Sequence, residues 1–347
     1  MRCVAAPPAG GPSPPDSAEL DAVRHLCRRF PEARVREVPL VRAAELDACA
    51  DPAGATRVWL ALEQLQVTGS FKVRGALVAV ARAMDRGRVV TASSCNHGSA
   101  VAYAACVLGV SATVVVPRTV SPATRDRIQR YGAELVVAAS DRSADAEALG
   151  QEIAMTQGAT YVSAHDDVDV TLGNGASVGF EIVRALGGVP ERLLAPFGGG
   201  ALSIGLAWAM AADTEGGVER CVWGAQSEDA CAMAMSLERG HAVELVEAPP
   251  RGTLANSLAR GVSPEAFERA RAALAGVVVV TEAQIASAME HAHLDMGLVL
   301  EGAAAVALAP VLFGLPEPLR GGDLVVVLTG RNVDPDRLAS MASIATG

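Results

Sequence analysis

The strongest constraint on the fold is an alternation in the middle of the chain. Short Val- and Ala-rich runs read as strands, and longer helix-forming segments separate them. Residues 88–92, 112–116, 134–138 and 159–163 read as strands, and residues 97–108, 121–131 and 144–157 as helices. Pro117 closes the second strand, and Gly132 ends the second helix. Strands joined through helices pair in parallel with right-handed crossovers, so the pattern predicts an α/β fold with helices on both faces of parallel sheets. The alternation resumes beyond Gly173. Helices are expected at 181–186, 202–212, 282–296 and 301–312, and strands at 192–196, 222–225, 277–280 and 323–328. Upstream, residues 17–29 read as a helix and 57–62 as a strand, and the turn signals of 251–264 read as a loop leading into a helix.

A chain of 347 residues is long enough for two sizeable cores. Aromatics are scarce, at 3%, while Ala, Val and Gly abound, which suits helices packed closely on Val-rich strands. The net charge of −10 argues against nucleic acid as a partner. No apolar run reaches the length of a membrane span, and the N-terminus lacks a signal-peptide pattern. The seven cysteines form no CxxC pair or Cys/His cluster, so they read as reduced thiols of a cytoplasmic protein. Residues 1–16, rich in Pro, Gly and Ala, are expected to be disordered.

Four stretches carry chemistry. The first runs from Glu63 through Thr68, Gly69, Ser70, Phe71 and Lys72 to Ala76, just before a helix expected at 74–84. Thr68 or Ser70 is placed to cap that helix, which leaves Lys72 in its first turn. A cation there opposes the helix dipole and loses proton affinity, as a nucleophilic or basic lysine requires. The second stretch is Thr91-Ala-Ser-Ser-Cys-Asn-His-Gly98, between a strand end and a helix start, where backbone N–H groups and hydroxyls can hold an anion. The third, Pro196-Phe-Gly-Gly-Gly-Ala-Leu-Ser203, lets the backbone approach a phosphate at a helix N-terminus. It is neither GxGxxG nor a GK[ST] loop, which excludes a dinucleotide fingerprint and nucleotide hydrolysis. The fourth, Leu328-Thr-Gly-Arg-Asn-Val-Asp334, places Thr329 at the carboxyl end of the last strand.

A reactive lysine, a phosphate cradle, an anion site and a late hydroxyl together describe a site for pyridoxal 5'-phosphate. In order, the four stretches resemble the SFKxRGA, SSGNH, GGGGL and SGGN motifs of the fold-type II pyridoxal-phosphate enzymes, nearest the serine/threonine dehydratases and serine racemases. The resemblance runs from about Val38 to Asp334. It implies a two-domain fold like that of the tryptophan synthase β subunit. The large cofactor-binding domain would be 17–87 plus 164–347, and the small domain 88–163. It implies that Lys72 carries the cofactor, that Phe71 packs near its ring and that Asn96 bonds its hydroxyl. Gly198, Gly199, Gly200, Ala201 and Leu202 would hold the phosphate, and Thr329 would face the pyridine nitrogen. Ser93, Asn96 and His97 would meet the substrate carboxylate. Ser94 would be the second catalytic group, opposite Lys72, if the chain racemises its substrate. Glu301 falls where the family often has a glutamate near the ring.

The leading expectation is a β-eliminating ammonia-lyase that turns serine, threonine or a specialised analogue into a 2-oxo acid. A racemase or epimerase, a β-replacement synthase and a non-catalytic binding module are the alternatives. The family is mostly dimeric, so a homodimer is expected. Cys95, Ala201 and Arg331 stand where the family has glycine, and Gly173-Asn-Gly-Ala176 stands for a common GQGT. Gln226 and Ser227 replace the acidic start of a metal site, and Glu228 and Asp229 read as a solvated loop, so no metal is expected. These departures predict a specialised substrate whose extra group reaches Arg331. The short sequence beyond Thr329 implies no regulatory domain of the kind that feedback-controlled threonine dehydratases carry.

Overall fold

The structure, a computed structural model, describes residues 1–7, 10, 12, 14–214, 220–243 and 252–334. Eleven strands follow in chain order: β1 (Arg2–Ala5), β2 (Leu40–Arg42), β3 (Thr56–Leu62), β4 (Arg88–Ala92), β5 (Ser111–Val116), β6 (Glu134–Val137), β7 (Thr160–Tyr161), β8 (Arg192–Pro196), β9 (Val222–Ser227), β10 (Gly276–Val280) and β11 (Gly322–Leu328). They form a seven-stranded sheet, ordered β1-β10-β9-β8-β11-β3-β2, and a four-stranded sheet, ordered β6-β5-β4-β7. The small sheet is parallel throughout, and in the large one only β1 and β2, at its edges, pair antiparallel. The α/β class with parallel sheets is therefore the one that the alternation predicts.

Burial on both faces explains the Val-rich strands. Along β11 the side chains point alternately to opposite faces. Val325 and Val327 join a core with Val73, Ala76, Leu77 and Val80 of the helix Lys72–Arg82. Leu324, Val326 and Leu328 join another core with Ala304, Ala305 and Leu308 of the helix Gly302–Leu312. In the small sheet Val89, Val114 and Val116 face the helix Asn96–Leu108, while Val90, Ala92 and Val115 face the helix Ser143–Gln157.

Several expectations change. The first residues are not wholly disordered: Arg2–Ala5 pairs with β10 from Gly276 to Val279. Pro8, Ala9, Gly11 and Ser13, and likewise Arg251 of the expected loop and residues 335–347, lie outside the described residues. The segment 17–29 is two helices, Ser17–Val23 and Leu26–Arg29, because His25 leaves helical geometry at φ −125° and ψ 40°. The helix expected at 181–186 begins much earlier. Val168–Thr171, a π-helical stretch Leu172–Ala176 and Ser177–Leu186 follow without a break. The glycines of that stretch suggest a loop, yet they serve close packing. A Cβ at Gly173 would lie 2.6 Å from the Arg74 carbonyl, and one at Gly175 only 2.3 Å from that of Leu202.

Three of the four chemical stretches follow the carboxyl ends of parallel strands. Ser93 follows β4, Phe197 follows β8 and Thr329 follows β11. Lys72 comes from the next turn after β3, so all four converge on one side of the fold.

Candidate active site

Lys72 is the first residue of its helix. Neither Thr68 nor Ser70 caps it: the Thr68 hydroxyl donates to the Ser70 carbonyl, and the buried Ser70 hydroxyl has no partner among the described residues. Tertiary contacts replace the cap. Ser70 bridges to Gly330, and the Phe71 N–H donates to the Thr329 carbonyl at 3.1 Å. The helix start is thereby fastened to the end of β11.

Behind Lys72, the fully buried Arg74 ion-pairs with Glu63 at 2.8 Å and with Glu181 at 2.7 Å. The Asn174 side-chain oxygen accepts the Gly75 N–H at 2.9 Å. Lys72 itself makes no hydrogen bond or ion pair among the described residues, and its Nζ lies 5.1 Å from the centre of the Phe71 ring. Burial pushes its pKa down from 10.5 to about 8, and the charge of Arg260 adds to that shift. The direction agrees with the sequence argument, but enclosure rather than the helix dipole is the leading cause.

One cavity gathers Phe71, Lys72, Ser93, Asn96, His97 and Thr329. Gly198, Gly199, Gly200, Ala201 and Leu202 form its floor, at the start of the helix Ala201–Ala212. Of the three glycines only Gly200 has positive φ, at +96°, so the methyl of Ala201 enters a helical position without strain. Gly199 is needed for space: an added Cβ would lie 2.2 Å from Nδ1 of His165. Cys95 has φ −148°, so the position does not demand the glycine usual there.

Asn96 is held from two sides. Its Nδ2 donates to Glu301 at 2.8 Å, and its Oδ1 accepts from Asn332 at 2.7 Å, which leaves one N–H free. Burial pushes the Glu301 carboxyl up to about 7. His97 rests its Nε2 against the Val162 carbonyl at 3.3 Å. Burial, then Lys72, pushes its pKa down to about 3, so it stays neutral. The Ser93 hydroxyl accepts the Cys95 N–H at 3.3 Å.

Two expected groups lie elsewhere. Ser94 lines an adjoining outer cavity of about 300 Å³ together with Arg127 and Asn332, and it does not line the Lys72 cavity. Cys95, Asn96 and Glu301 border both. Ser94 makes no capping bond to the helix Asn96–Leu108 either. Arg331 turns away from the cavity and donates to the Gln64 carbonyl at 2.8 Å. Gln226 bonds the Phe197 carbonyl and the Ala234 N–H inside the fold, and Ser227 bonds Glu282. Among the described residues no cluster of three or more His, Cys, Asp or Glu side chains could hold a metal, and no helix is long and apolar enough to cross a membrane.

The sequence reading missed His165 and Arg260, which also line the Lys72 cavity. Neither belongs to a strand-end motif. His165 sits three residues after the Val162 that His97 contacts, and Arg260 lies in the irregular stretch before the helix Pro264–Ala273. Position after a short strand could have pointed to His165; no local pattern singles out Arg260.

The residues fit pyridoxal phosphate. Among the described residues, an unpaired amine stands in the same cavity as a glycine loop at a helix N-terminus, and the enclosed Nε2 of His165 has no hydrogen-bond partner. Comparison with known proteins agrees. The family described as pyridoxal-phosphate dependent enzyme matches residues 32–330. The chain is 35% identical over 321 residues to a Sinorhizobium fredii protein that is named, by inference, a threonine dehydratase. The match covers 91% of this chain and 92% of that protein. It is 34% identical over 299 residues to the L-threonine ammonia-lyase of Thermotoga maritima, covering 84% of this chain and 71% of that one. The crystal structure of a threonine deaminase from the organism abbreviated T.th. superposes with a TM-score of 0.80 at 30% identity, covering 92% of this chain and 99% of that chain.

Proposed function

Because the chain belongs to the pyridoxal-phosphate dependent enzymes, within the fold-type II group of serine/threonine dehydratase-like proteins, we propose that it is an ammonia-lyase acting on a β-hydroxy amino acid. The observation that carries the reading is the amine of Lys72, unpaired among the described residues and with its proton affinity lowered by burial, in one cavity with the Gly198–Gly200 loop. When bound, pyridoxal phosphate supplies an electron sink for the pair left at the substrate Cα.

The chain's own groups do the rest. The backbone of Gly198, Gly199, Gly200, Ala201 and Leu202 would hold the phosphate. Asn96, positioned by Glu301 and Asn332, would direct its remaining N–H to the cofactor hydroxyl, and Phe71 would border the ring. Ser93, Asn96 and neutral His97 receive the substrate carboxylate at the N-terminus of the helix Asn96–Leu108. Lys72, whose proton affinity is lowered by burial, would remove the Cα proton as a base. Thr329 offers a hydroxyl where a carboxylate would hold the ring nitrogen protonated. A hydroxyl at that position, rather than a carboxylate, would favour loss of the β-hydroxyl over return of the proton.

The balance is simple. The Cα–H and Cβ–O bonds break and water leaves. The resulting enamine is hydrolysed by one water to a 2-oxo acid and ammonia. The net change is amino acid to 2-oxo acid plus ammonia. We further propose that the two sheets belong to two domains, 17–87 with 164–347 and 88–163, and that the protein works as a cytoplasmic homodimer. Sedimentation at micromolar concentration tests the dimer.

The direct test is purified protein supplied with pyridoxal phosphate. A visible absorption band that borohydride removes is expected, together with ammonia and 2-oxo acid from at least one β-hydroxy amino acid. Protein that stays colourless and yields no ammonia would refute the assignment.

A further inference from the structure

Arg260 brings a guanidinium to a cavity whose other bases are weakened by enclosure. Lys72, His97 and His165 all lose proton affinity on enclosure there, and the charge of Arg260 lowers each of them further. A β-hydroxy amino acid such as serine or threonine gives this cation nothing to bind. Its α-carboxylate is met by the Ser93–His97 turn, and its side chain is uncharged. The phosphate already has the glycine loop and a helix N-terminus.

The guanidinium is also only partly engaged. Among the described residues its side chain makes one hydrogen bond, from Nη1 to Glu147 at 3.2 Å, out of five N–H donors. Glu147 belongs to the helix Ser143–Gln157, and its side chain is 32% exposed, so it can turn to water when another carboxylate arrives. A planar guanidinium is suited to a carboxylate held by two parallel bonds, which an ammonium cannot reproduce. Arg331 cannot fill the role, because it does not line this cavity and donates instead to the Gln64 carbonyl.

We propose that Arg260 is a specificity-determining residue that binds a second carboxylate on the substrate side chain, so that the preferred substrate is a dicarboxylic β-hydroxy amino acid. This rests on the ammonia-lyase reading. Glu147 holds the guanidinium in the free enzyme and yields it to the substrate.

The test compares 3-hydroxyaspartate with serine and threonine, using cofactor-loaded wild type, Arg260→Gln, Arg260→Lys and Glu147→Gln. The wild type should show the higher kcat/KM on 3-hydroxyaspartate. The ratio of that value to the one for serine should fall about a hundredfold in Arg260→Gln, the size expected for a charged hydrogen-bonded pair. Arg260→Lys should recover part of the loss. Glu147→Gln should raise the ratio through a lower KM for the dicarboxylate, and it keeps the test open if Arg260→Gln fails to fold. Cofactor affinity, titrated by the visible band, is read in parallel. A weakened band with an unchanged substrate ratio would assign Arg260 to the cofactor phosphate and overturn the proposal. A wild type that deaminates serine or threonine but not 3-hydroxyaspartate would overturn it too and leave the lyase intact. Ammonia from none of the three would count against the lyase reading itself.

Discussion

Lys72 is enclosed without a hydrogen-bonding partner among the described residues. Its amine should therefore take up pyridoxal phosphate in the cofactor-free protein at a rate that rises with pH and levels off above about pH 8, since only the neutral amine adds to the aldehyde. Stopped-flow absorbance over a pH series checks this, and a midpoint near 10.5, the unperturbed value, would contradict it. Lys72→Ala should abolish turnover while some cofactor still binds without a covalent link. Ser94 poses a separate question. A planar carbanion is protonated by Lys72 on one face only, so inversion needs a donor on the other. Ser94 lies across Cys95 and Asn96 in the outer cavity. Because Ser94 does not line the Lys72 cavity, Ser94→Ala should leave any racemisation and elimination from either isomer intact, and a selective loss of racemisation by chiral chromatography would show that it reaches the site after all. Because Ser94 caps no helix, the melting temperature should not move. Equal loss of both activities with a lower melting temperature would assign it a structural part instead.

At the scale of elements, the helix Lys72–Arg82 is aimed by what lies behind it. Arg74 holds two carboxylates inside the fold, and Arg74→Met would leave both buried and unpaired. The expected cost is about 3–5 kcal/mol, measurable by urea unfolding of the cofactor-free protein. A change under about 1 kcal/mol would show that Glu63 and Glu181 find other partners or protons. Gly200→Ala forces a methyl into φ +96° and 2.8 Å from the Ile204 Cδ1, so it should weaken cofactor retention, read by dialysis and absorbance. Such elements differ in how readable they are from sequence. The valines of β4, β5 and β11 announce strands because both faces are buried, and the strand-end motifs follow from them. The cap at Lys72 is misread because backbone bonds from Thr329 and Gly330, far along the chain, replace the local one. The helix expected at 181–186 is read too short, because the glycines before it serve helix contact. Arg260 is invisible for the same reason, since only the fold carries it to Lys72.

Across the whole molecule, the proposed site is shared between the two sheets. Ser93, Asn96 and His97 follow β4 of the small sheet, while Thr329 and the glycine loop follow β11 and β8 of the large one. Substrate should draw these parts together. Hydrogen exchange in the helices Asn96–Leu108 and Ser143–Gln157 should slow when a non-reacting substrate analogue is added, and unchanged exchange would argue against closure. The strand order has one more consequence, for the chain as it is being made. β11, at residues 322–328, lies between β3 and β8, so β3 has no neighbour on that side until nearly all of the chain has been synthesised. At ordinary translation rates the wait is roughly 15–50 s. Throughout it the unpaired edge of β3 is open to chaperones or to another nascent copy. Thr329 and Gly330, which fasten the start of the Lys72 helix, arrive only with β11. Cofactor capture should then be among the last events of biogenesis, and ribosome-bound chains arrested before residue 322 should remain unable to take it up.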